Sequence, residues 1–145
     1  AKEAEIEVLD WWKDAYRVFP NGAVAKVTDV RTGKSFYIKR TYGRNHADCE
    51  TLTVEDTKIM KEVWGGSWSW ARRPVILEIN GRRLAASMAG MPHAGLDEQP
   101  ANLDAVKDND MDGHIDVHFL NSRTHGTNRV DPAHQQAIRE AAKSK

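Results

Sequence analysis

The order of elements readable along the chain predicts an α+β fold: a largely antiparallel sheet of about five strands with three helices. Two observations carry this expectation. Two turn signals, Arg31-Thr32-Gly33-Lys34 and Asn80-Gly81, each separate a pair of segments rich in Val, Ile, Leu, Phe or Tyr, which reads as two β-hairpins. Around them, stretches with apolar residues at helical spacing give the succession helix, hairpin, helix, hairpin, strand, helix. The 145 residues read as one domain, 1–145, long enough to bury a real core.

The first helix is expected over residues 3–17, where Ile6, Leu9, Trp12 and Tyr16 recur at helical spacing. The breaker cluster Phe19-Pro20-Asn21-Gly22 ends it. Residues 23–30 and 35–40 form the first hairpin, and 41–52 read as an irregular polar loop. Thr53 is placed as the N-cap of a second helix, with Glu55 and Asp56 in the first turn, where the helix dipole favours carboxylates. Gly65-Gly66 stops it after about Val63. Residues 74–79 and 82–87 flank Asn80-Gly81, a pair suited to a type I′ turn. Residues 88–113 lack periodicity and form the longest loop, 114–120 form a strand, and Asp131-Pro132 opens a final helix running to about Ala142.

Composition excludes several classes of function. With 21 Lys+Arg against 21 Asp+Glu, the chain lacks the long-range attraction expected of a nucleic-acid binder. Hydrophobic residues make up 40% and charged ones 29%, which fits neither a disordered tail nor a membrane protein. No apolar run approaches the roughly 20 residues of a membrane span, and no signal-peptide pattern opens the chain. The balanced charge is unevenly laid out. Asp104, Asp108, Asp110, Asp112 and Asp116 gather just ahead of three of the six histidines, His114, His118 and His125.

That segment carries the chemistry. In a strand, the two-residue period puts His114, Asp116 and His118 on one face and Ile115, Val117 and Phe119 on the other. Two imidazoles around a carboxylate on a rigid element read as metal ligands, or as ligand plus general base; the plain alternative is an exposed, His-rich face. His46 and Asp48 are likewise two apart. One imidazole and one carboxylate from that segment, joined by a distant histidine, would make a three-ligand catalytic zinc site with an open position. Asp48 as a turn cap and Glu50 as a helix-approach carboxylate remain the structural readings.

A calcium reading covers the same stretch. Residues 108–116 fit the first nine positions of an EF-hand loop, with Asp108, Asp110 and Asp112 as oxygen ligands and Gly113 at the sharp turn. Phe119 stands where a bidentate Glu is needed, so the expectation reduces to an aspartate-rich calcium turn. Cys49 lies between Asp48 and Glu50, which would raise its pKa, and reads as a small packing residue rather than a nucleophile. Arg123 is of the type that holds a carboxylate, and His125 follows in the same polar turn. Trp68 and Trp70 read as stacking platforms or core, His93 as a loop histidine beside the site, and His134 as a surface residue of the last helix.

The segments Asn45-His46-Ala47-Asp48, Trp68-Ser69-Trp70 with Arg72-Arg73-Pro74, Ala85-Ala86-Ser87-Met88, Met91-Pro92-His93, Gly113-His114 through His118-Phe119, and Ser122-Arg123-Thr124-His125-Gly126 together carry a resemblance. Over most of its length the chain resembles a bacterial domain family that accompanies peptidoglycan-binding modules in cell-surface and spore-associated proteins. The resemblance implies an extracellular or cell-wall setting, with peptidoglycan or its stem peptides as partner. In that setting the His/Asp pattern is similar to that of zinc peptidases acting on peptidoglycan stems. The LAS-type group of those enzymes spaces its ligand His and Asp more widely than His46 and Asp48. Relatives often carry Cys at the position of Asp116, which faintly resembles the His-Gly-Cys motif of L,D-transpeptidases; with Asp here, that thiol mechanism is excluded.

The expectation is therefore a zinc-dependent hydrolase cleaving an amide bond in peptidoglycan. His46, Asp48 and His118 would hold Zn²⁺, and Asp116 or His114 would activate water. His125 and Arg123 would stabilise the oxyanion or bind substrate, with His93, Trp68 and Trp70 lining its path. The alternative is a non-catalytic peptidoglycan- or glycan-binding module with a structural metal, zinc or calcium.

Overall fold

The computed structural model describes residues 4–93, 106, 108–111, 113–125 and 127–144. Its elements are β1 (Ile6–Glu7), a turn of π-helix (Trp11–Ala15) running into α1 (Tyr16–Val18), β2 (Val24–Asp29), β3 (Ser35–Tyr42), β4 (Ala47–Thr51), α2 (Val54–Val63), β5 (Ser69–Ile79), β6 (Arg82–Gly90), β7 (Ile115–His118) and α3 (Pro132–Ala142). The strands follow the order β1-β6-β5-β2-β3-β4-β7, and a further pairing of β6 with β7 closes the sheet. The result is a six-stranded antiparallel barrel with β1 added in parallel to β6. Closure leaves no free edge on the barrel strands, the liability of any open sheet.

The α+β class, the three helices and the antiparallel hairpins follow the sequence expectation, while the strand count of about five becomes seven. Two stretches account for the difference. Residues 47–51, expected to be loop, form the fully buried β4 despite the polar sequence Ala-Asp-Cys-Glu-Thr. Ala47 and Cys49 point into the barrel, so Asp48 and Glu50 fall on the outer face, beneath other structure. The expected first helix shrinks because residues 6–7 pair with Arg83 and Leu84 of β6, and Asp10 then caps a short helical segment at Trp11. The other caps and turns stand where they were expected. Thr53 accepts from the Asp56 N–H, Asp131 accepts from the Ala133 N–H, and Asn80 and Gly81 both take positive φ, as a type I′ turn requires.

The barrel interior is filled by alternate residues, among them Val27, Phe36, Ile38, Cys49, Leu77, Leu84, Met88, Ile115 and Val117. On the outside, α3 lies over β5 and β6 and packs Ile138 and Ala141 against Ile76 and Ala85. Burial of Ile76 and Ile138 contributes about 1.5–3 kcal/mol each, which seats the helix in one register. Among the described residues, no helix is long and apolar enough to cross a membrane.

One buried ion pair ties the first hairpin to β5. The Asp29 carboxylate, fully buried, accepts from Arg73 Nε at 2.9 Å and Nη2 at 3.0 Å, and from the Thr32 N–H at 2.8 Å. Burial opposes its charge, but Arg73 and Thr32 outweigh burial and hold the carboxyl below its ordinary value of 3.8. Its stabilising contribution is therefore present above about pH 4 and is lost as pH falls through the lowered folded value. Asp29→Asn is expected to cost about 3 kcal/mol at neutral pH by stranding Arg73. Urea unfolding measures the loss, and the gap from wild type narrows below about pH 4.

Candidate metal centre

The register of β4 against β7 sets Asp48 directly opposite Asp116. Two carboxylates facing each other across a ladder repel and require positive charge between or beside them. Four imidazoles supply the surroundings. His46 Nε2 lies 2.9 Å from Asp48 Oδ1 and 3.2 Å from Asp116 Oδ1. His93 Nε2 is 3.3 Å from Asp116 Oδ1, and His114 Nε2 is 3.5 Å from Asp48 Oδ1. His118 stacks on His46 with ring centroids 4.5 Å apart.

Local structure aims each ring. The Nδ1–H of His46 donates to the Arg123 carbonyl and that of His93 to the Met91 carbonyl, each at 2.8 Å. Those bonds fix the tautomer and turn Nε2 toward the carboxylates, as partners of ligating histidines commonly do. The loop that delivers His46 is held by Arg40, a buried guanidinium donating to the carbonyls of Tyr16, Phe19, Tyr42 and Gly43 and stacked on Trp11. Gly43 has φ +108, and a Cβ there would meet the His46 carbonyl oxygen at 2.2 Å, so the loop closes only around glycine.

His118 is fully buried, and among the described residues neither of its ring nitrogens has a hydrogen-bond partner. Leaving such a group unsatisfied costs about 1–3 kcal/mol. On its other face lies His134, stacked at 3.7 Å and 2°, with His134 Nδ1 2.7 Å from Ser87 Oγ. Asp131 places α3 for this contact by capping Ala133 and pairing with Arg72 at 2.9 Å.

Burial opposes charge throughout the cluster, and the neighbours decide which groups carry it. Hydrogen bonds to Asp116 and Asp48 override burial and raise His46 to about 10, and Asp116 also raises His93. Burial pushes Asp116 up, but His46 and His93 outweigh it and hold Asp116 well below the usual range. Burial and the neighbouring His134 and His46 hold His118 low, and burial with the Arg72 charge lowers His134 to about 3. The site thus combines a buried carboxylate, Asp116, that stays ionised and a buried imidazole, His118, that stays neutral with a His46 that is protonated in the metal-free cluster and would have to release that proton to a bound metal.

Two groups of donor atoms could each hold a cation: His46, Asp116 and His118, and His93, His114 and Asp116. Within each group the donor atoms all lie within 4.8 Å of one another. No protein-family model, curated protein or solved structure matches this chain.

A cleft of about 560 Å³ opens beside the cluster, with His46 and Asp48 among its lining residues and Trp12, Tyr42, Arg44 and His125 around it. His125 is exposed there. The exposed Arg123 side chain donates to the Asn128 carbonyl, and its backbone orients His46. Trp70, half exposed, lies 5.0 Å from His93, whereas Trp68 packs against the core beneath Lys61. A second hollow, of about 440 Å³, lies along β2 and the 79–83 turn and has no residue of the cluster in its lining. Cys49 sits inside the barrel, where burial and the nearby Asp48 raise its thiol.

For the calcium reading, Asp108 and Asp110 are exposed at positive φ, while Asp112 lies outside the described residues. Asn109 pins that turn through its Nδ2 to the Thr51 carbonyl at 2.8 Å, and Asp116 is engaged by His46 and His93.

His134 is the correction of most consequence: expected at the surface, it is 2% exposed and stacked on His118. The signal was present in the sequence, since His134, Ala137, Ile138 and Ala141 share one helical face. Its low pKa makes the unfolded chain bind a proton that the folded one refuses, so its contribution to stability is lost as pH falls below 6.5 toward about 3. In metal-free protein, wild type is expected to lose about 1.4 kcal/mol per pH unit relative to His134→Phe from about pH 6 to about pH 4. Urea titrations across that window measure the difference.

Proposed function

We propose that His46, Asp116 and His118 hold a divalent metal ion, zinc by their imidazole and carboxylate donors, and that the protein hydrolyses an amide bond in bacterial peptidoglycan outside the cell. The observation that carries the metal reading is His118: a neutral, fully buried imidazole without a hydrogen-bond partner among the described residues, close to the donor atoms of His46 and Asp116. Of the two carboxylates, Asp116 belongs to the ligand group, which frees Asp48, a cleft-lining residue, for proton transfer.

A cation held there supplies Lewis acidity toward a carbonyl and lowers the pKa of water. Asp48 Oδ1 accepts the proton of the attacking water. His125, exposed at the mouth of the cleft, binds the substrate or protonates the leaving amine. The half-exposed rings of Trp12 and Tyr42 offer stacking faces for sugar rings. Peptidoglycan as substrate rests on the family resemblance and on this aromatic rim.

Chelator-free protein incubated with purified sacculi is expected to release new primary amines, and EDTA is expected to abolish the release. Asp48→Asn should lower kcat by about 10²–10⁴ while leaving bound metal unchanged. Absence of zinc from the purified protein, with undiminished digestion by His118→Ala, overturns the reading. The same aromatic rim favours a second reading, a non-catalytic wall-binding module. That reading requires co-sedimentation with sacculi, its loss on Trp12→Ala, and no amine release.

A further inference from the structure

Asp116 belongs to both donor groups, and each group adds two histidines that the other lacks. Its Oδ1 is 3.2 Å from His46 Nε2 and 3.3 Å from His93 Nε2. Each of those histidines brings a second imidazole: His46 stacks on His118 at 4.5 Å, and His93 meets His114 edge-on at 4.6 Å. His114, just before β7, and His118, its last residue, fall on the same face four residues apart, roughly 13 Å along extended chain, with Asp116 midway. One ion with ligand bonds of about 2 Å does not serve both histidines well, whereas the carboxylate between them reaches either side.

The second pair is built as the first is. The Nδ1–H of His93 is tied to the Met91 carbonyl as that of His46 is to the Arg123 carbonyl, so both rings present Nε2 to Asp116. The bridge between His93 and His114 fixes their backbones, with N–H···O distances of 3.0 and 2.8 Å. Asp48 touches one member of each pair, at 2.9 Å from His46 Nε2 and 3.5 Å from His114 Nε2.

We infer that the centre is dinuclear: one divalent cation on His46, His118 and Asp116, a second on His93, His114 and Asp116, with the Asp116 carboxylate bridging them. The inference rests on the metal-hydrolase reading and deepens it, because paired cations are a known device for hydrolytic displacement. Asp48 then stands at the junction of the two sites.

Chelator-stripped protein titrated with Zn²⁺, followed by calorimetry and by metal analysis after desalting, tests this. Wild type is expected to take up two equivalents. His93→Ala, at a partly exposed position that tolerates truncation, should take up one, and His118→Ala should also take up one. As a check independent of folding in the variants, Co²⁺-loaded wild type should lose paramagnetic signal per cobalt as the second equivalent binds, the sign of two ions coupled through a shared carboxylate. One equivalent in wild type, unchanged by His93→Ala, overturns the dinuclear centre and leaves the single-metal hydrolase standing. No retained zinc at all overturns both.

Discussion

The pairing of β6 with β7 is the contact on which the rest depends. It sets Ser87 opposite His118 and Met88 opposite Val117, and turns an open sheet into a barrel. Because β7 then lies between β6 and β4 and pairs with both, its outward residues stand beside those of β4 on one face, and the two aspartates come to oppose each other across the ladder. Neither position is chosen by the local preferences of its strand. The inward residues Ile115 and Val117 are committed to the core, and the two-residue period leaves Asp116 and His118 no other side.

Around that junction the fold uses backbone groups to aim side chains. Arg40 gathers four carbonyls from the helical segment and the 42–43 turn, which shapes the loop that ends at His46. The segment after β7 returns the favour: the Arg123 N–H donates to the Asn45 carbonyl, while the Arg123 carbonyl receives the His46 ring. On the far side α3, capped by Asp131 and pinned by Arg72 and Arg31, lays His134 over His118. The ionised Asp116 and the neutral His118 follow from this packing: charge sits where hydrogen bonds compensate burial, and is refused where they do not.

Much of this was legible in the chain. The hairpins, α2, α3 and the His-Asp-His face of β7 announced themselves through turn residues, caps and period. The polar strand β4 did not, because Ala-Asp-Cys-Glu-Thr is an unlikely strand unless its outer carboxylates have partners supplied from elsewhere. His46 and Asp48 were visible as an imidazole and a carboxylate two residues apart, but the opposition of Asp48 and Asp116 was not, since it depends on a register joining residues far apart in the chain. Arg123 shows the same limit. Its charge suggested a substrate contact, whereas the part that touches the centre is its carbonyl, which any residue type carries.

The centre is built from pairings far apart in the chain: His46 meets Asp116 across 70 residues and Arg123 across 77, and Ser87 meets His134 across 47. The hairpin β5–β6 and the strands β2 and β3 close over short loops, at small cost in chain entropy. Insertion of β7 demands long closures, at greater cost in chain entropy. A chain halted before that step would keep much of its secondary structure and bury part of its core, yet hold neither cluster of donors. Assembly of the His/Asp cluster is therefore a property of the finished barrel.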